Sequence, residues 1–201
     1  FIMTIQNYLS IYAKSFNWAG FFLPKKTYQI CSALYDFCRV VDNIADDEAT
    51  IETKKSKFKN FEDNFNNKNF DNPVIKNMWK LIDEFNISLK IIHDLFEGIK
   101  SDIREKIELN SEKELLIYSY RVAGTVGLMM TKIIGVVDKK ANSSAIDLGI
   151  AMQLTNIIRD VYEDAQMNRI YLPAELIPNI TLSMLRGEQK LEFKQEFLIC
   201  N

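Results

Sequence analysis

The chain has 201 residues, 47% of them apolar and 26% charged, with a formal net charge of −2. That mixture excludes wholesale disorder, and the charge balance gives no basic field to recruit nucleic acid. Four prolines and seven glycines are too few for a turn-rich all-β fold, so long helices in a single domain are expected.

Taken in order, Pro24 to about Asp47 repeats apolar residues at helical spacing through Ile30, Leu34, Phe37, Val41 and Ile44, with Pro24 suited to a first turn. Thr50 to Asn72 is polar apart from a stripe of Phe58, Phe61 and Phe65, which predicts a surface helix and then a loop. Asn72-Pro73 starts another helix with Asn72 as N-cap, and Ser88 is expected to cap the next, through Ile91, Leu95 and Ile99. Ser111-x-x-Glu114 reads as a capping box opening one long helix to about Val136. Ser143 or Ser144 opens a helix ending near Gln166, and Pro173 and Pro178 bracket a short segment before a last helix. No strand run and no internal repeat is visible, so the fold class is all-α. The apolar stretch Val122–Val137 is interrupted by Thr125, Thr131 and Lys132, short of the ~18 residues of a spanning helix. Cys31, Cys38 and Cys200 form no paired framework and read as reduced thiols, and the sole histidine, His93, reads as structural. The chain begins at Phe1 and stops at Asn201 within an apolar-periodic segment, so a C-terminally incomplete domain is expected.

Two of these helices carry polar groups on a narrow face. With Tyr35 at zero, Arg39 sits at roughly +40°, Asp42 at roughly −20° and Asp46 at roughly +20°, at about 100° per residue. With Gln153 at zero, Asn156 sits at roughly −60°, Asp160 at roughly −20° and Asp164 at roughly +20° on the same step. Such faces are usually solvated, and one alone would be read so. Here Leu34, Phe37, Val41, Leu154, Ile157 and Ile158 mark both helices as core elements, where clustered carboxylates are costly without a cation between them. Oxygen donors without His or Cys suit a hard ion, Mg²⁺ first among them. Lys14, Arg39, Arg159 and Arg169 can supply phosphate contacts. The chemistry expected is metal-assisted departure of a diphosphate. A di-iron bundle would need Glu-x-x-His pairs, and Lys90 stands three before His93.

These residues fall in five motifs: Lys14-Ser15-Phe16, Tyr35-x-x-Cys-Arg39-x-x-Asp42-x-x-x-Asp46, Tyr120-Arg-Val-Ala-Gly-Thr-Val-Gly127, Gln153-Leu-Thr-Asn156-Ile-Ile-Arg159-Asp160-Val-x-Glu-Asp164, and Arg169-Ile-Tyr-Leu-Pro173. Over about Lys14 to Pro173 the chain resembles the squalene/phytoene synthases, and the last two motifs look most like phytoene synthases. The resemblance implies the isoprenoid synthase fold, an antiparallel helical bundle around a central cavity, here expected over residues 1–201 and truncated at the C-terminus. It implies Asp42, Asp46, Asn156, Asp160 and Asp164 as metal ligands, with Tyr35 joining the four aspartates as the catalytic set. Substrate contacts carried over are Lys14, Ser15, Phe16, Tyr35, Arg39, Tyr118, Gln153, Arg159 and Arg169. Asn43 departs from relatives that carry a further Asp there. The implied reaction joins two geranylgeranyl diphosphates head to head, giving phytoene through a cyclopropyl diphosphate. The implied cofactor is Mg²⁺, with Mn²⁺ as a substitute and no nicotinamide. The same resemblance admits presqualene, squalene or dehydrosqualene synthesis from farnesyl diphosphate, and a non-catalytic assembly factor on the same fold. Phe21, Phe22, Leu128, Met129 and Met130 are candidate cavity walls, and Gly124 and Gly127 either admit substrate or let two helices approach. No nucleic-acid partner is expected. Lipidic substrates imply a cytoplasmic protein with peripheral contact on the inner face of a membrane, and oligomeric state is left open.

Overall fold

The computed structural model describes residues 22–138 and 140–187. Helix α1, Lys25–Asp46, follows Pro24, and its stripe Ile30, Ala33, Leu34, Phe37, Val41 and Ala45 is buried. Thr50 caps α2, Ile51–Asn66, by accepting from the Thr53 amide at 3.3 Å. Its buried residues are Phe58, Phe61 and Phe65, the stripe expected from the sequence. Asn72 caps α3, Pro73–Phe85, with Oδ1 accepting from the amides of Val74 and Ile75 at 2.9 and 3.4 Å. Ser88 does precede α4, Leu89–Asp102, but its hydroxyl makes no capping bond. These four helices pack around one aromatic cluster: Phe37, Phe58, Phe61, Phe65 and Trp79 gather about Phe96 and one another at centroid distances of 5.3 to 6.3 Å. The Trp79 Nε1–H, which burial would otherwise orphan, donates to the Phe65 carbonyl at 2.9 Å.

The expected long helix from Ser111 is broken in two. Helix α5, Glu112–Ser119, starts on the Ser111 hydroxyl, which accepts from the Glu114 amide. Glu114 closes its half of the box one residue early, accepting from the Asn110 amide at 2.8 Å. The chain then makes a five-residue π turn, Tyr120–Gly124, before α6, Thr125–Ile133. Helix α7, Lys140–Arg159, begins three residues before the expected serines, because Asp138 Oδ1 accepts from the Lys140 amide at 2.9 Å. It ends at Asp160, where φ and ψ are −100° and 14°, and α8 runs Val161–Gln166. Beside the helices there is a minimal strand pair that the sequence did not show. β1, Ile107–Glu108, pairs in parallel with β2, Arg169–Ile170, with Ile107 opposite Arg169. Two-residue strands have no periodicity to read. Helix α9, Leu182–Leu185, follows the Pro173–Pro178 segment.

Glycines set α7 against the π turn and α6. A Cβ at Gly149 would lie 2.5 Å from the Ala123 carbonyl oxygen, and one at Gly127 would lie 2.3 Å from that of Ala145. Both obstacles are backbone and cannot rotate away, so Gly127 serves close helix approach. Gly149→Ala is therefore expected to destabilise by about 1–3 kcal/mol, despite the roughly 1 kcal/mol that alanine gains in helix propensity. Urea unfolding checks this, and a more stable variant contradicts it. Of the candidate cavity walls, Met129 is a fully buried core residue and Met130 packs against the same core. Phe22 is 77% exposed, a surface position and not a cavity wall among the described residues. Phe21 lies outside them.

Candidate active site

The polar face of α1 opens away from its buried stripe. Arg39 Nη1 donates to Asp42 Oδ2 at 2.7 Å, one turn along the helix. Burial holds the Tyr35 hydroxyl above its ordinary pKa, with the Arg39 charge opposing the rise and that of Asp42 adding to it. At the end of α1, Asp46 accepts from Arg169 Nη1 at 2.9 Å, while Arg169 Nη2 donates to the Ala45 carbonyl at 3.1 Å. One guanidinium thus neutralises an aspartate and satisfies a carbonyl of the last helical turn, where the backbone leaves acceptors unpaired and the dipole favours a cation. Arg169 is 9% exposed, and β2 holds it in place.

One residue of the second acidic face, Asp164, feels the charge of the same guanidinium. Asp164 on α8 is half-buried, and burial pushes its carboxyl up to about 6, with Arg169 opposing the rise and Asp160 and Asp46 adding to it. Asp42 is likewise pushed up to about 6 by burial and then by Asp46, against Arg39 and Arg169. The aspartates of α1 and α8 therefore share one electrostatic environment, in which the charge of Arg169 acts to lower the pKa of both Asp42 and Asp164. The break at Asp160 does not disperse the second face: Asp160 still donates its amide to the Asn156 carbonyl, and Asp164 to that of Asp160, both at 2.8 Å. Asp160 is bound by its exposed neighbour Arg159 through Nε and Nη2, and that fork holds its carboxyl below the usual range. Gln153 and Asn156 lie half-buried on α7. Lys14, Ser15 and Phe16 lie outside the described residues.

Two residues of this region escaped the sequence reading, Asp102 and Tyr171. Tyr118 stacks on Tyr171 with ring centroids 4.7 Å apart, and both hydroxyls donate to Asp102, at 2.9 and 2.7 Å. Asp102 is 7% exposed. It sits three residues after Ile99 and seven after Leu95, on the apolar stripe of α4, so an aspartate in a core register was the available signal. Burial pushes its carboxyl up to about 7, more than the bonds from Tyr171 and Tyr118 and the charge of Arg169 pull it down, and Asp42 adds to the rise. A carboxyl whose pKa is raised on folding stabilises the fold at low pH and withdraws that stability as pH rises. Stability is thus expected to fall between about pH 4 and pH 7 by on the order of 4 kcal/mol from this group. Asp102→Asn should flatten that part of the profile, which urea midpoints across the range would read.

The donor set fits a hard divalent cation: four carboxylates and an amide oxygen, two of the carboxyls retaining protons up to about 6. Among the described residues no three carboxylate, histidine or cysteine groups converge on a common point. Asp42, Asp46 and Asp160 are each turned onto a guanidinium instead.

The squalene/phytoene synthase family model matches residues 9–195. The chain belongs to that family. Within it, the chain is 36% identical to phytoene synthase 1 of Zea mays over 182 residues, 86% of this chain and 44% of that protein. It is 32% identical to the 15-cis-phytoene synthase of Pantoea ananas, over 83% of this chain and 57% of that one. It is 29% identical to the presqualene diphosphate synthase of Rhodopseudomonas palustris, over 80% and 58%. The chain spans about half the length of these curated relatives. A crystal structure of a ligand-bound dehydrosqualene synthase superposes with a TM-score of 0.70 at 31% identity, over 89% of this chain and 64% of that one. The squalene synthase of Alicyclobacillus acidocaldarius shares the fold at a TM-score of 0.76 and 22% identity, over 92% and 70%. The fold is the isoprenoid synthase fold of this family, mostly helical as expected. Among the described residues no helix is long and apolar enough to cross a membrane.

Proposed function

We propose that this chain catalyses Mg²⁺-dependent, head-to-head condensation of two prenyl diphosphates, with geranylgeranyl diphosphate as donor and acceptor and phytoene as product. The observation that supports the reading is the Arg169–Asp46 ion pair, together with the charges of Arg169 and Asp46 acting on Asp164, which puts one aspartate of each acidic motif within electrostatic reach of the same guanidinium. When bound by Asp42, Asp46, Asn156, Asp160 and Asp164, Mg²⁺ supplies charge stabilisation to a departing diphosphate. Arg39 and Arg159 are the guanidinium groups able to trade partners there: each holds a carboxylate in a half-buried or exposed ion pair, and exposed pairs are worth only about 0–1 kcal/mol. Arg159 can turn its fork to a diphosphate oxygen at little cost, and Arg39 can do so by exchanging the Asp42 carboxylate for the diphosphate. Lys14 is assigned the same role. Arg169, locked on Asp46 and Ala45, keeps the two acidic segments from repelling each other before substrate arrives.

A second reading has specific support. The presqualene diphosphate synthase and dehydrosqualene synthase matches favour the same reaction on farnesyl diphosphate. Incubating the protein with Mg²⁺ and each donor, then measuring released diphosphate and the mass of the hexane-extracted product, decides between them. A C40 hydrocarbon supports the first reading and a C30 product the second. Neither diphosphate release nor hydrocarbon, together with no thermal shift from Mg²⁺ plus pyrophosphate, overturns both in favour of a non-catalytic role.

A further inference from the structure

A buried polar network joins Asp102, Tyr118 and Tyr171, and of these only Tyr118 has a task from the family resemblance, as a substrate contact. Asp102 ends α4, Tyr118 belongs to α5, and Tyr171 follows β2 directly. Three segments distant in sequence converge on one carboxylate, whose Oδ2 accepts from Tyr118 and Oδ1 from Tyr171. Hydrophobic side chains of similar size would fill such a place at no greater cost to the fold. What the carboxylate adds is direction, since it fixes two phenols that packing alone would leave free to turn. Tyr171 lies two residues after Arg169 and one past the end of β2, so both side chains hang on one short segment. Holding the Tyr171 hydroxyl thus holds the segment that aims Arg169 at Asp46.

We propose that Asp102 is a positioning residue of this site: it fixes the Tyr118 hydroxyl directly and, through Tyr171, the strand that places Arg169 on Asp46 and the Ala45 carbonyl. The inference rests on the prenyl-transfer reading. Asp102 touches no reacting group and acts only through its two tyrosines.

Steady-state kinetics of the full chain with Mg²⁺ and the active prenyl diphosphate, for the parent, Asp102→Asn, Tyr171→Phe, Tyr118→Phe and the Asp102→Asn/Tyr118→Phe pair, test it. The asparagine side chain is nearly the same size as the aspartate but offers one acceptor oxygen in place of two. In Asp102→Asn, kcat is therefore expected to fall roughly 10²-fold with KM changed by less than about threefold. The double variant is expected to be no worse than the poorer single one, because the bond lost in Tyr118→Phe is one of the two through which Asp102 acts. A second readout needs no substrate: ultraviolet difference titration should find Tyr118 and Tyr171 ionising at lower pH in Asp102→Asn, where the neighbouring negative charge is gone. A folded Asp102→Asn with parental kcat overturns the proposal. Should that variant not fold, Tyr171→Phe, which keeps the ring stack and loses one bond, decides instead, with a roughly tenfold loss of kcat expected and parental kcat overturning it. If the parent turns over no prenyl diphosphate, the prenyl-transfer reading fails. Unchanged phenol ionisation in Asp102→Asn then overturns the positioning role separately.

Discussion

Arg169→Ala is expected to cost the fold about 3 kcal/mol, at the lower end of the range for breaking a buried ion pair by removing one partner. The guanidinium is 9% exposed and bonds the Asp46 carboxylate and the Ala45 carbonyl. Burial opposes its charge, yet Tyr171, Asp46 and Asp102 raise its pKa above the ordinary arginine value. Alanine leaves Asp46, Asp164 and Asp42 without their shared cation. It also opens the end of α1, where Lys54, donating to Ala45 at 2.8 Å, is the remaining described donor. The loss stays at the lower end because Asp46 keeps 36% of its side chain in water. Arg169→Lys should recover part of it, since an ammonium restores the charge but not the planar fork that reaches two acceptors at once. Arg159→Ala is the control: its pair with Asp160 is open to solvent, so a change within about 0.5 kcal/mol is expected. Urea unfolding of the three variants checks the ordering. An Arg169→Ala protein as stable as the parent would contradict the central place given to this guanidinium.

Where the sequence was informative, one face of one element decided the matter. Ile30, Leu34, Phe37 and Val41 marked α1, and Asn72-Pro73 marked the start of α3 to the residue, because cap and stripe are local. Features set by distant contacts were not legible. The π turn at Tyr120–Gly124 looks like ordinary helix in sequence, and its shifted ladder is packed against α7, where Gly149 admits the Ala123 carbonyl. The β pair is too short to show a period, yet it carries Arg169 to a partner 123 residues away. For the site, spacing alone put Tyr35, Arg39, Asp42 and Asp46 on one face and so set Arg39 beside Asp42, but it did not show Arg169, the cation that Asp46 meets. Asp102 was passed over, although a carboxylate on an apolar stripe was there to be noticed, and its partners lie 16 and 69 residues away, beyond any helical period.

Asp160→Asn is expected to lower turnover by at least 10²–10³-fold, on the order of the loss when a charge-stabilising group is removed from an active site, while leaving the fold almost untouched. The carboxylate is bound by an exposed arginine, a pair worth about 0–1 kcal/mol. Its backbone at −100° and 14° is one that asparagine adopts readily. Asp164→Asn separates charge from fold more sharply. Folding raises the Asp164 pKa to about 6, so its contribution to stability is full below about pH 4 and is lost as pH rises through 6. An asparagine at that position cannot ionise. With chelator present at pH 8, Asp164→Asn should therefore melt no lower than the parent, even as its turnover falls as far as that of Asp160→Asn. A site that spends stability to keep negative charge together behaves in this way, because the charge serves binding and not folding. Melting curves and product formation on the same two variants read both sides. Parental turnover in Asp160→Asn would remove it from the metal-binding set, and a marked loss of stability in Asp164→Asn would make that carboxylate a structural group.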